Sequence, residues 1–460
     1  MSSYKQELSR ELSLRQNILI TLSAVTPASS VFIIVPAVLL AVGGASVMAM
    51  ALGGLVALFV GMCYAELSAR YPISGGEYTW AARILGKPIG FAVMLLTLVT
   101  GVLIIAVVAL GTGLYLGVAV SGLSGSEVGL VVIVLSTIVA ALRIKTNAWV
   151  TGLFLAVELL AIAIFTILGF INISRPISTF WTPAALGSSG MMEGVSLGLV
   201  VSTIAVALFA YNGYGQAVYY AEETKGATKN IGRAIMISLG VAVVVEIVPL
   251  MAVVLGTGSL EKLLADPAPM NYFLIERGGE TVNTLVSLGI AIAIINAVIA
   301  IIIQMARLMF SASRDGSFPD VIGKPMGSIN AKYQTPVVAT AVVGIASVLV
   351  GAFVPFSLLI LASGASLIVI YAIVAVAALR VRSMGSSHQD AYTMPFWPLP
   401  PIIVIVAIIY IAYQGVLADS RPLMIAVGTM LVGVVYYYIY INSRTDSRWT
   451  LPEALHDHND

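Results

Sequence analysis

Two carboxylates, Glu158 and Glu246, stand deep inside otherwise apolar runs of this sequence. At such depth in a membrane an ionisable side chain faces a helix-bundle interior or a water-filled path, where it carries protons, meets cations or orders a polar network. The three histidines, His388, His456 and His458, fall outside the apolar runs, so side-chain proton transfer within a membrane falls to a carboxyl group. Two further places offer backbone chemistry. Pro27 interrupts the stretch Ser23-Ala-Val-Thr-Pro-Ala-Ser-Ser30, and Tyr211-Asn-Gly-Tyr-Gly215 interrupts a later apolar run. Pro27 has no N–H and its ring crowds the carbonyl of Ser23, four residues earlier. Gly213 and Gly215 admit backbone conformations closed to other residues, and Asn212 tolerates them. In lipid, each freed backbone group costs several kcal/mol unless protein, water or a ligand satisfies it. Such breaks therefore mark either a kink repaired by neighbours or a place where a ligand completes the hydrogen bonding.

The elements that must hold these groups are membrane helices. The chain has 460 residues, 59% hydrophobic and only 10% charged, with a mean hydropathy of +1.01. Apolar runs of about 20 residues, the length that crosses a bilayer, recur from end to end. Spans are expected at Asn17–Val42, Val47–Ala69, Pro88–Val120, Glu127–Leu142, Ala148–Ile173 and Val195–Tyr220. Six more are expected at Ala234–Gly256, Val282–Ser311, Val337–Val354, Phe356–Leu379, Pro400–Val416 and Pro422–Ile441. The expectation is an all-α integral membrane protein of twelve transmembrane helices.

Of the 23 lysines and arginines, only Arg175, Lys262, Arg277 and Arg421 fall on one side of that arrangement. The positive-inside rule then puts both termini in the cytoplasm of a multi-pass protein of the cell membrane. The net charge of +1 gives no reason to expect a nucleic-acid partner, because the basic residues are spread over loops as topology signals. Residues 1–16 form a charged cytoplasmic segment with no small-residue cleavage site, so no removable signal peptide is expected. Cys63 is the single cysteine and reads as a small packing residue. The stretch Thr257–Thr281 reads as a loop with one short helix at most, and Tyr436–Tyr438 with Trp449 suit an interfacial aromatic belt.

The breaks divide the chain. Residues 17–173 and 195–382 each open with an interrupted helix and read as two structural repeats, residues 395–441 add two more spans, and 442–460 form a cytoplasmic tail. Paired broken helices at corresponding positions are the best sequence pointer to a substrate site at the bilayer midplane of a secondary transporter. Helix N-termini there offer N–H groups to anions and C-termini offer carbonyls to cations. Asn296, Gln304, Thr97, Thr100 and Tyr115 could line a polar path or serve helix packing equally well. Glu66, Arg70, Glu77, Arg83, Glu222, Glu223, Lys225, Arg314 and Asp315 read as a cytoplasmic ion-pair and capping network, not as substrate ligands. No metal-ligand cluster, nucleophile elbow or phosphate loop stands out, so neither an enzyme nor a cofactor is expected.

Three segments carry a resemblance. AELSARYPISGGEYTWAARILG (Ala65–Gly86), FAYNGYGQAVYYAEETKGATKNIGRAI (Phe209–Ile235) and ARLMFSASRDGSFP (Ala306–Pro319) resemble motifs of the amino acid–polyamine–organocation permeases, in the same order. The resemblance implies the five-plus-five inverted-repeat (LeuT-type) fold with discontinuous helices 1 and 6, and coupled uptake or exchange of small amino acids or amines. It implies substrate contacts from Val25, Thr26, Ala28, Ser29 and Ser30 in the first break and from Tyr211, Asn212 and Gly213 in the second, with Phe209 as an aromatic gate. Where many amino acid permeases carry Gly-Ser-Gly to receive a carboxylate, this chain has Pro27-Ala28-Ser29-Ser30. Where several proton-coupled relatives carry a lysine in the fifth span, it has Glu158. That carboxylate either carries a proton, pairs with a cationic substrate or holds a metal cation; Glu246 is the second coupling candidate. The implied partners are a small amino acid or amine, a proton or alternatively sodium, and the lipid bilayer.

Overall fold

A computed structural model describes residues 12–72, 75–119, 125–142, 148–187, 189–384, 392–443 and 449. Of the expected terminal segments, residues 1–11, 444–448 and 450–460 lie outside the described residues, as do the three histidines and the side chain of Glu222.

Helix follows helix along the chain. Ser13 caps α1 (Leu14–Val25) through a reciprocal box with Gln16, the arrangement that satisfies orphan N–H groups at a helix start. Then come α2 (Pro27–Ser29), a π-turn at Ser30–Ile34, α3 (Val35–Val42) and α4 (Ser46–Arg70). α5 (Glu77–Ile84) precedes the long α6 (Lys87–Ala119), α7 (Ser126–Ala141) and α8 (Ala148–Phe170). A small antiparallel hairpin, β1 (Ala184–Leu186) with β2 (Met192–Gly194), pairs Ala185 with Glu193. After it run α9 (Leu197–Ala210), α10 (Ala227–Gly256), α11 (Leu260–Ala265) and α12 (Pro269–Arg314). The chain closes with α13 (Asp320–Met326), α14 (Val337–Phe353), α15 (Phe356–Val381), α16 (Leu399–Ala418) and α17 (Arg421–Tyr436).

Among the described residues, nine helical stretches are long and apolar enough to cross a membrane, and α7 and α14 are shorter apolar helices. The first stretch, Leu14–Arg70, holds 57 residues. As one straight rod it would run about 85 Å, close to three hydrocarbon thicknesses. It is instead interrupted at Thr26, in the left-handed region, and at the 3₁₀ turn Gly43–Ala45.

The core gathers where α4 packs on α9, α10 and α15, and where α6 packs on α12, α15 and α17. The most apolar windows of α16 and α17 are each only 22% buried, against 72% for the window in α6. These last two helices are therefore peripheral. Gly43 is required where α3 ends: at φ +57°, a Cβ there would sit 2.2 Å from the Ala184 carbonyl oxygen, which holds the hairpin against this helix end.

Two expectations need correction. Thr257–Thr281 is largely helical: α11 occupies part of it, and α12 starts at Pro269 and breaks at Gly279 (φ 77°, ψ 174°) before running on. Only a glycine takes that conformation readily. The expected aromatic belt is not one surface. Tyr437 and Trp449 are buried around Phe91 at centroid distances of 6.1 and 5.7 Å, leaving Tyr438 exposed.

Candidate functional site: a cavity between two interrupted helices

The first interruption follows from Pro27. It opens α2 at its first turn, where a missing N–H is harmless, and Thr26 before it takes the left-handed conformation, φ 49°, ψ 66°. Ser30 N–H then bonds back to the Thr26 carbonyl at 3.2 Å. The π-turn that follows leaves irregular bonding, and the Tyr115 hydroxyl donates to the Phe32 carbonyl there. Asn296, by contrast, does not reach the site.

The second interruption follows from Gly213. α9 stops at Ala210, Tyr211–Gly213 turn, and a 3₁₀ segment runs from Tyr214 to Glu223. Gly213 has φ +118°, and a Cβ on it would lie 2.7 Å from Val25 Cα. Nothing larger fits, so the absent side chain is what lets the two broken backbones touch. Ser30 Oγ donates to the Ala210 carbonyl at 2.7 Å, tying the start of the second half of one helix to the end of the first half of the other.

A cavity of about 100 Å³ lies at this junction. Of the residues singled out in the sequence, Val25, Thr26, Ser30, Phe209, Asn212 and Gly213 line it. Ala28, Ser29, Tyr211, Glu158 and Glu246 do not. Ala28 and Ser29 are buried behind it, and the Tyr211 hydroxyl points away to donate to the Met50 carbonyl at 2.9 Å. Glu158, on α8, accepts the Ala28 N–H at 3.4 Å. That contact ties the Glu158 carboxyl to the first turn after the break. Glu246, on α10, lies near Ser30 and Tyr211, yet neither of its oxygens reaches hydrogen-bond geometry among the described residues.

Sequence reasoning missed the other half of the lining. Tyr64, Glu77, Tyr214, Tyr219 and Tyr371 all face the cavity, beside Thr97, Thr100 and Gln304, which the sequence had offered as polar-path candidates. The Tyr371 hydroxyl donates to Asn212 Oδ1 at 3.2 Å. Glu77 is the one charged side chain among the described lining residues. It accepts from the Tyr64 hydroxyl at 2.9 Å and from the Tyr219 hydroxyl at 3.1 Å. Burial pushes this carboxyl above its ordinary range, and hydrogen bonds from backbone, Tyr64 and Tyr219 partly offset that. The expectation that Glu77 belongs to a loop network away from the substrate path is therefore corrected. The motif around it gave one usable signal: Gly75-Gly76 before Glu77 lets the chain turn sharply, with Gly76 at φ +60°.

Other members of the expected charged network do form ion pairs. Glu66, fully buried, holds Arg382 at 2.7 Å and Arg70 at 3.1 Å and accepts the Met394 N–H at 3.2 Å. Arg83 lies over the Tyr71 ring and Arg314 over Phe310.

Known proteins share this chain's pattern over nearly its whole length. It is 25% identical to the methylthioribose transporter of Bacillus subtilis, over 86% of each chain. It is 23% identical to the branched-chain amino acid permease BcaP of the same species, over 95% of this chain and 94% of the relative. BcaP of Lactococcus lactis is 24% identical over 85% of this chain and 86% of its own. The family model for amino acid permeases matches residues 12–439, a range that takes in both interrupted helices and every residue lining the cavity between them. A multi-pass helical membrane protein built in this way, and matched from its first described residue almost to its last, belongs to the amino acid permease family.

Proposed function

We propose that the protein is a secondary active transporter that takes up a small amino acid or amino-acid-like compound, driven by protons, by alternating access. Counting Leu14–Arg70 as two crossings and α7 and α14 as one each gives twelve spans, with both termini in the cytoplasm of a cell-membrane protein. In this reading residues 17–173 and 195–382 are inverted repeats that rock against each other, and 395–441 add a peripheral pair. The ligand lies against the backbone of the breaks at Val25–Thr26 and Tyr211–Gly213, with Ser30 and Asn212 as polar contacts and Phe209 closing over it. Glu158 carries the proton and Glu246 is the second candidate.

The observation that carries this reading is the direct contact of the two interrupted backbones at Gly213 and Val25. Broken membrane helices are tolerated where their backbone lines a cavity, and they put helix ends at a ligand. The relatives include permeases named for branched-chain amino acids, which supports the substrate class. A second reading, uptake or exchange of an amine that lacks a carboxylate, is favoured by one contact. The Ala28 N–H at the start of the second half of the first helix is already taken by Glu158, so less of that helix end is free to receive an anion. Uptake of labelled leucine and of labelled putrescine into proteoliposomes, with and without imposed pH and sodium gradients, tests both. Concentrative leucine uptake under an inward proton gradient supports the first reading; accumulation of neither compound under any gradient refutes both.

A further inference from the structure

Glu77 poses a charge problem that its own neighbours do not solve. Both of its described side-chain partners, Tyr64 and Tyr219, are neutral phenols, and none of the ion pairs between described residues includes it. A buried carboxylate without a positive partner is unfavourable by several kcal/mol, so the site is complete only with a proton or a cation. Each oxygen accepts one phenol and the carboxyl also takes a backbone N–H, while a carboxylate has about four lone-pair sites. Capacity for a further donor therefore remains on this cavity-lining group.

The surroundings suit an organic cation. Tyr64, Tyr214 and Tyr371 form one contiguous patch of ring surface, with centroids 5.8 Å apart for Tyr64–Tyr214, 6.0 Å for Tyr64–Tyr371 and 6.4 Å for Tyr214–Tyr371. All three line the same cavity as Glu77. Tyrosine rings attract ammonium groups electrostatically, and aromatic surfaces of this kind recognise alkylated cations. The buried Tyr214 hydroxyl stands near the Tyr371 side chain on the same cavity wall. Glu77 also reaches the second helix break: its Oε1 lies 3.6 Å from where a Gly215 Cβ would be.

The geometry points to a cation subsite, formed by the Glu77 carboxylate with the Tyr64–Tyr214–Tyr371 ring patch, that receives the protonated amine of the transported molecule. An alkylammonium brings three donors and one positive charge, which the Glu77 carboxylate and the surrounding tyrosine rings can receive. A ligand end that is neutral or anionic brings no charge to replace the proton on Glu77, so the subsite selects for amines. The inference rests on the reading of this cavity as the transport cavity, and it adds the group that selects the substrate's charge.

The test uses isoamylamine, a branched amine of leucine size without the carboxylate, beside isocaproate, the matching acid without the amine, and isoamyl alcohol, the neutral analogue. Melting of the purified full chain in detergent is followed as each is added at constant ionic strength. Isoamylamine should stabilise the wild type in a saturable way, with the other two inert. Glu77→Gln should raise the half-saturating amine concentration at least about tenfold, as expected for loss of one member of a buried charge pair. Should Glu77→Gln fail to fold, Tyr214→Leu removes ring surface while keeping both phenols that hold Glu77, and a severalfold weaker amine response is expected. Stabilisation by the alcohol equal to that by the amine, or an undiminished amine response in the variant that folds, overturns the inference. Leucine uptake is measured in parallel. Leucine accumulation without an amine response removes the subsite and leaves the transport reading standing, whereas a Glu77-dependent amine response without any amino acid uptake does the reverse.

Discussion

Glu158 on α8 accepts the Ala28 N–H at 3.4 Å, so a carboxylate on one helix is bonded to the start of the resumed half of another. The contact lies one residue beyond Pro27 and behind the cavity, which places Glu158 where its charge acts on the broken helix and not on the ligand directly. In the proposed coupling, a proton added to this carboxyl would weaken its hold on the Ala28 N–H and free the resumed half of the helix to move. Glu158→Gln, which keeps the shape and removes the titration, should abolish accumulation driven by a proton gradient while substrate exchange across the membrane survives in part. Uptake and counterflow in the same proteoliposomes measure the two; unchanged accumulation and unchanged pH dependence would remove Glu158 from the coupling role.

Gly213 permits the two breaks to touch. Alanine at this position must adopt φ +118° and place its Cβ 2.7 Å from Val25 Cα. The backbone strain alone is about 1–3 kcal/mol, and the clash with main chain cannot be relieved by a rotamer change. Gly213→Ala should lower uptake by more than about tenfold. Gly240, inside α10 with nothing within 4 Å of its would-be Cβ, is the control. Gly240→Ala should leave uptake intact and raise stability by up to about 1 kcal/mol.

Glu66 ties α4 to the end of α15 through Arg382, with Nε–Oε1 at 2.7 Å and Nη2–Oε2 at 2.9 Å. Arg382 also lies 5.0 Å from the Trp397 ring centroid. Breaking a buried pair from one side costs about 3–5 kcal/mol. The Arg382 side chain is 25% exposed and Arg70 still faces Glu66, so about 1–3 kcal/mol is expected for Arg382→Ala. Arg382→Lys should recover less than half, because a lysine cannot reproduce the two-pronged contact. Thermal melting of the three proteins checks this, and equal stability of the alanine and wild-type forms would show the pair to be idle.

Asp315 follows the last residue of α12, and burial pushes its carboxyl up to about 6, partly opposed by Arg314. The folded state thus holds the proton more tightly than the unfolded chain, whose value is near 3.8. Its contribution to stability is fully present below the unfolded value and is lost as pH rises through about 6. Asp315→Asn removes that loss and should stabilise the protein at pH 7 by up to about 2–3 kcal/mol. The advantage should vanish near pH 4, as melting curves over pH 4–7 would reveal; a gap that does not change with pH contradicts the assignment.

What could be read from the sequence was what backbone chemistry dictates locally. Pro27 and Gly213 announce their breaks because a missing N–H and a missing Cβ have consequences wherever they stand, and the apolar runs locate the long helices to within a few residues. The helical start of α12 at Pro269 was hidden by a loop-like composition with Gly278-Gly279 in its middle. Glu77 was hidden for a different reason. It sits outside any apolar run, among charged neighbours such as Glu66 and Arg70 that do form ion pairs, and the sharp turn at Gly76 brings it to the cavity instead. Its partners come from α4 and the 3₁₀ segment, and the pairing of Tyr64 with Tyr371 across 307 positions leaves no local trace. The burial of Trp449 against Phe91 was likewise invisible, since an aromatic near the end of a span reads the same whether it meets lipid or protein.

The claim on which the rest depends is that a transported molecule sits between the two helix breaks. In a Cys63→Ser background, Thr26→Cys and Asn212→Cys each place a single thiol on the cavity lining, and the rate of alkylation by a membrane-permeant maleimide can be followed with and without the amino acid that the liposome assay accumulates. Saturating substrate should slow labelling at both positions severalfold, with half-protection at the concentration that half-saturates transport. Labelling at unchanged rates at both positions, while the same protein still transports, would contradict the account.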